Sequence, residues 1–295
     1  MADTKVTGLT ADTSPSLTDV IATVKDPGGS PLNRKVELTN LQKALGCDML
    51  AKLVNTEVSV TEAGTATIGK QHICSGTTYT ETLPTVSGNA GKFISFRMSN
   101  ALTGIVTIAA DGSEKIWTPR GEVASRKYVA GEMCVLYCDG TQWHLVLETM
   151  QSIIFSAYQT NVQVIPTGTD TKVAIDTEWY DSHETFDSTT NYRLTPTAPG
   201  VYNVTGACSI SNLDAAKGFE VGILKNGSDW RLLVSTKLGA VGNPVASGSL
   251  EFSMNGTTDY LELYVFHANG TARNTQVAVE YRPRFQGYRV CREES

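Results

Sequence analysis

Positive charge is scarce in this chain. Its 24 Lys and Arg stand against 30 Asp and Glu, for a formal net charge of −6 over 295 residues. Phosphate backbones are bound by clustered cations that release counterions, and no basic stripe occurs, so a nucleic-acid partner is excluded. Long apolar runs are also missing. None approaches the roughly 20 residues of a membrane-spanning helix, which argues against membrane insertion. The opening MADTKVTGLTADTSPS has no apolar segment of a secretory signal, so synthesis in a cytoplasm is expected.

Cysteine is present but unorganised. The six thiols show neither a CxxC pair nor framework spacing. Cys134 and Cys138 lie in the strand-like MCVLYC, which puts their α-carbons about 13 Å apart, too far for a bridge. Buried reduced thiols are the expectation. The catalytic motifs HExxH, GxSxG and GxGxxG are absent, and His72, His144, His183 and His267 are isolated. GNAGK at 88–92 lacks the first glycine of a P-loop and has Phe93 where a hydroxyl would hold magnesium. The reading is therefore of a protein that is not an enzyme, with no catalytic residue, no metal site and no cofactor. One acidic concentration stands out: Asp176, Glu178, Asp181, Glu184 and Asp187 in DTEWYDSHETFD. Such carboxylates suit a hard cation or, paired at the right separation, glycoside hydrolysis. The spacing is not that of an EF-hand, and a solvated loop is the simpler reading. The four Asn-x-Ser/Thr sequons, at Asn203, Asn226, Asn255 and Asn269, read as turn and strand composition.

Turn chemistry is abundant. With 26 Gly and only 18% charged residues, the composition favours turn-rich β structure, and the length suits two domains. From Phe155 to Val290, short alternating apolar runs are separated by turn signals, the pattern of an antiparallel sandwich. Asn226-Gly227, Asn255-Gly256 and Asn269-Gly270 mark tight turns there. In LELYVF, Leu261, Leu263 and Val265 oppose Glu262, Tyr264 and Phe266, so both faces of that strand carry apolar bulk. A symmetry mate would cover the outer one, with Tyr264, Phe266, Tyr281 and Phe285 as the candidate seam; the alternative is that they are buried aromatics of an ordinary core.

Upstream, KFISFRM puts Ile94, Phe96 and Met98 on one face, and WHLVLE does the same for Trp143, Leu145 and Leu147. Asp111-Gly112 and Asp139-Gly140 suggest type I′ hairpins. Thr39 and Gln42 form a capping box ahead of a short helix through Leu41, Ala44 and Leu45. Residues 1–35 are polar, rich in Thr, Ser, Asp, Pro and Gly, and read either as an attachment arm ordered by a partner or as a plain flexible tail. The expected fold class is all-β: an arm with a short helix (1–55), a small β module (56–150) and an antiparallel jelly-roll head (151–295).

Two resemblances bear on function. The segment YTETLPTVSGNAGKFISFRMSNALTGIVTIAADGSEKIW, with the closing GEMCVLYCDGTQWHLVLE, resembles the small β modules of tailed-bacteriophage fibre and appendage proteins. LTDVIATVKDPGGSPLNRKVELTNLQKAL is similar to virion-anchoring starts of such proteins, which implies anchoring through Arg34, Lys35, Val36, Leu38, Leu41 and Leu45. In the head, Leu194, Gly200, Tyr202 and Val204 keep the spacing of the aromatic-x5-Gly-x-Tyr-x-Phe signature of complement globular heads and tumour-necrosis-factor relatives. Asp259–Leu263 and Phe285–Val290 resemble the last strands of that fold. Leu194 and Val204 replace aromatics of the family pattern, and no collagen-like stem is present.

Together the resemblances imply a homotrimeric appendage on the exterior of a virion, made in the host bacterial cytoplasm. A capsid-attached head fibre or decoration protein is the leading reading. Its N-terminus would meet phage capsid or tail proteins, and its head a host surface glycan or protein. A tail fibre or receptor-binding protein, and a decoration protein with no receptor, are the alternatives.

Overall fold

A computed structural model describes residues 20–25, 32–37 and 57–292. Among these, every regular element is a β-strand. Val20–Lys25 and Leu32–Glu37 pair antiparallel, Val20 opposite Glu37 and Lys25 opposite Leu32. Arg34, Lys35 and Val36 fall in the second of these strands. Leu38, Leu41, Leu45 and the expected helix lie outside the described residues.

Residues 57–148 form two sheets, one of seven strands and one of four. Lys92–Leu102 lies within the larger sheet and pairs with Met133–Cys138, Ile94 opposite Leu136 and Phe96 opposite Cys134. Its alternation directs Ile94, Phe96 and Met98 inward, each at most 1% exposed. They share a core with Leu83, Ile108, Ile116, Tyr128 and Trp143. The Trp143 indole N–H donates to the Pro84 carbonyl at 2.9 Å, so the largest side chain of this core leaves no polar atom unpaired.

Two sequence expectations fail here. Leu147 is 51% exposed rather than sharing the face of Trp143 and Leu145. The register between Met133–Cys138 and Trp143–Glu148 shifts at Val135/Leu136, and such a bulge turns the following residues to the opposite face. Nor do the Asp-Gly pairs form type I′ turns, because only Gly112 and Gly140 have positive φ. The Asp139 carboxylate instead accepts from the amides of Thr141 and Gln142, an Asx turn that holds aspartate at ordinary φ. The Asn226-Gly227 turn does meet the expectation, with φ of 54° and 69°.

The C-terminal half is a double-sheet sandwich. One sheet runs Thr177–Asp181, Ile154–Tyr158, Arg284–Cys291, Gly200–Ser209, Val245–Met254. The other runs Phe186–Asp187, Arg193–Leu194, Leu261–His267, Gly218–Lys225, Asp229–Lys237. Apart from the hairpins Phe186–Asp187/Arg193–Leu194 and Gly218–Lys225/Asp229–Lys237, the chain passes back and forth between the sheets, and the first strand pairs with the last, Phe155 opposite Gly287. That antiparallel order is a jelly roll.

The core lies between the two sheets. Phe155 stacks on Phe186 at 5.5 Å and meets Phe285 edge-on at 5.1 Å. Fully burying a ring of this size is worth about 2–3 kcal/mol. Gly200 is required by space: a Cβ there would meet the Cys291 carbonyl at 2.3 Å. Tyr202 is buried, and its hydroxyl donates back to the Ala198 carbonyl at 2.9 Å, fixing the corner before the strand. Leu194 and Val204 are likewise fully buried, so all four signature positions serve the fold.

Among the described residues Cys74, Cys134, Cys138 and Cys208 are buried free thiols, and Cys291 is a half-buried one. Burial pushes the Cys134 and Cys208 thiols up to about 12, which keeps them protonated and unreactive. No helix long and apolar enough to cross a membrane occurs among the described residues.

Candidate functional site

Two regions combine unusual chemistry with a defined geometry. The first lies where the middle sheets meet the head. Glu132 precedes the strand Met133–Cys138, and its carboxylate is completely buried. Oε1 accepts from the Gln151 amide at 2.9 Å and from Arg289 Nη1 at 2.8 Å. Oε2 accepts from the Val129 amide at 3.0 Å and from Arg292 Nη1 at 2.5 Å. Four donors saturate both oxygens, as a buried carboxylate requires.

Arg289 also donates to the Pro199 carbonyl at 2.6 Å. Arg292 donates to the carbonyls of Lys127 and Thr149 and stacks on the Tyr128 ring at 4.3 Å. Arg126 pairs with Glu148 at 2.7 Å, and Arg292 Nε lies 3.2 Å from the same carboxylate. Burial works against the charge on Arg126, but Glu148 outweighs it and holds the guanidinium above its ordinary value. Ile105 and Val129 join Ile153 in the head's own core. The seam is therefore part apolar and part ionic.

The second region is the outer face of the head's five-stranded sheet. Phe285, Gly287 and Arg289 point inward along the last strand, so Gln286, Tyr288 and Val290 point out. Tyr288 pairs with Ile154 across the strands. Tyr288 is 51% exposed, Val290 44% and Ile154 40%. A groove of about 250 Å³ is lined by Ile154, Ser156, Asn203, Thr205, Gln286 and Tyr288. At the edge strand, Trp179 and Tyr180 are exposed. Tyr158 lies 4.8 Å from Trp179, with the Arg282 guanidinium over Tyr158 and that of Arg284 over Trp179.

The expected seam residues do not come together. Phe285 is fully buried between Phe155 and Phe186 and belongs to the sandwich interior, because the inward half of the alternation in FQGYRV begins on it. Tyr264 and Phe266 are half-buried on the outer side of the other sheet, with Tyr264 edge-on to Trp230 at 6.3 Å. Tyr281 is exposed in the segment before the last strand.

The acidic residues likewise serve local structure. Asp176 accepts from the amides of Thr160 and Asn161. Asp181 accepts from those of His183 and Phe186, and Asp187 from those of Thr189, Thr190 and Asn191. Glu178 bonds the Ser188 hydroxyl. These amide bonds hold the Asp187 carboxyl far below its ordinary range. No group of three or more potential metal ligands converges among the described residues.

The Glu132 cluster escaped the sequence reading. Its one visible signal was Arg289, a charged residue on the inward half of an alternating strand.

No protein-family model matches the chain, and no curated protein matches it. Solved structures do. Murine APRIL at pH 8.5 is similar over 48% of this chain and 100% of its own, at 10% identity and a TM-score of 0.35. Eiger TNF from S. frugiperda is similar over 49% of this chain and 94% of its own, at 10% identity and a TM-score of 0.32. The PRD1 vertex protein P5 is similar over 47% of this chain and 96% of its own, at 12% identity and a TM-score of 0.32.

Proposed function

We propose that the protein is a structural appendage of a virion, a homotrimer that displays the jelly-roll head on the particle exterior. The observation that carries this reading is the exposed outer sheet face around Ile154, Tyr288 and Val290. Apolar side chains clustered on one rigid sheet are what a copy of the same surface covers in a closed ring. In this reading the seam lies on the five-stranded sheet rather than around Tyr264 and Phe266. The resemblance of residues 79–147 to phage appendage modules supports the virion setting. In this reading residues 1–55 attach to capsid or tail protein, 56–150 form the stalk or collar, and 151–295 form the knob. The saturated Glu132 seam makes stalk and knob move as one body.

Function is binding without bond making. Weak contacts from a trimeric knob, repeated over many copies, yield useful adhesion to a cell or environmental surface through effective concentration. Light scattering on the purified chain tests the assembly. A trimer has three times the 31.7 kDa chain mass, about 95 kDa; a monomer at all concentrations refutes the reading. Electron microscopy of particles labelled on this protein then reports capsid or tail, and retention of the labelled full chain by intact bacteria separates an adhesin from a decoration protein with no receptor.

A further inference from the structure

A cavity of about 520 Å³ opens where the middle module meets the head. Its floor is apolar, made by the buried Leu102, Val129 and Ile153. Its walls carry Asn100 from the middle module and Gln151, Ser182, His183 and Thr197 from the head. Among the described residues that line it there is no Asp, Glu, Lys or Arg. The polar groups stand on anchored backbone. Asp181 accepts from the amides of His183 and Phe186 and fixes that loop. The Gln151 amide is tied to Glu132 Oε1 at 2.9 Å, while its side chain, like those of Asn100 and Thr197, bonds no other described residue. Ser182 Oγ accepts from the Ile154 amide at 2.9 Å and lies 2.6 Å from His183 Nδ1. With its lone pair engaged by Ile154, the hydroxyl gives its proton to Nδ1, so Nε2 of the neutral ring carries the N–H and is a donor.

We propose that this cavity binds an uncharged sugar unit. Side-chain amides donate and accept at once, which matches adjacent sugar hydroxyls that do the same. The apolar floor takes the C–H face of the ring, and the volume lies within the roughly 300–1,000 Å³ of small-molecule sites. Phosphate, carboxylate and ammonium ligands would find no charged partner in this lining. The two walls belong to different modules, which the Glu132 cluster locks together. The cleft therefore has its shape before the ligand arrives, and little ordering is left to oppose binding. The inference is independent of the virion and trimer readings.

The test is saturation-transfer NMR on the full chain with glucose, with N-acetylglucosamine and, as the charged comparison, with galacturonate. Transfer to the ring protons of either neutral sugar or of both supports the proposal. Asn100→Ala/Gln151→Ala removes two side chains that hold nothing else among the described residues. It is expected to keep the wild-type melting temperature and to weaken binding about tenfold, read from the concentration dependence of the transferred signal. Asn100→Trp, which fills the cavity from an exposed position, is expected to abolish the transfer, and Arg231→Gln on the far sheet to leave it unchanged. Transfer to neither neutral sugar, transfer to galacturonate alone, or transfer that both cavity variants leave intact overturns the assignment.

Discussion

Arg289 Nη1 lies 2.8 Å from Glu132 Oε1, with both side chains fully buried and the two residues 157 positions apart in sequence. Removing the carboxylate leaves two buried guanidinium groups short of an anion. Glu132→Gln is therefore expected to lower stability by about 3–5 kcal/mol, measured by urea denaturation of the full chain. Replacing all three partners at once, as Glu132→Leu/Arg289→Met/Arg292→Met, is expected to recover most of that loss.

Phe285 and Tyr288 sit three residues apart on one strand and face opposite ways, so truncating them separates packing from assembly. Phe285→Ala removes a ring wedged between Phe155 and Phe186. It is expected to cost about 3–5 kcal/mol, seen as a lower melting temperature.

Tyr288→Ser is expected to leave far-UV circular dichroism intact while shifting sedimentation from trimer to monomer. Tyr264→Ser, on the opposite sheet, is expected to keep the proposed trimer. The reverse pattern would move the seam to the face around Tyr264 and Phe266.

Glu81 is 3% exposed, and its Oε2 has no hydrogen-bond partner. Burial raises its carboxyl above the ordinary range, with a bond from the Gly64 amide opposing. A folded-state value raised above the unfolded one means the protonated form is favoured by folding. That contribution is complete below about pH 4, near the ordinary glutamate value, and is lost as pH rises through the folded value. Glu81→Gln is accordingly expected to melt higher than wild type at pH 8 and to match it at pH 4, by differential scanning calorimetry across that range.

Period-two patterning made the strands legible. Ile94, Phe96 and Met98 could be assigned to one face, and Leu261, Leu263 and Val265 to another, because burial of one face leaves its mark on sequence. Turn chemistry was legible at Asn226-Gly227, whose Asn side chain bonds Asp259 and the Tyr260 amide rather than amides of its own turn. It misled at Asp139, whose carboxylate found amides two and three residues on. The phase of FQGYRV could not be fixed from the strand alone, since Phe285 and Tyr288 are both aromatic and only the partner strands decide which is inside. The Glu132 cluster was least visible, because it depends on residues that no local pattern relates.

The strand Arg284–Cys291 lies between Ile154–Tyr158 and Gly200–Ser209, so the five-stranded sheet has a gap at its centre until that strand is made. Ser156 and its partner Gln286 are 130 residues apart, which is roughly 6–26 seconds of ribosome time at 5–20 residues per second. During that interval Phe155, and later Tyr202 and Val204 once they are made, cannot be covered by that strand, whereas residues 57–148 can already close around Trp143. A nascent chain of this protein is thus half folded and half sticky for a fixed time. Translation speed over residues 156–286 becomes a determinant of yield.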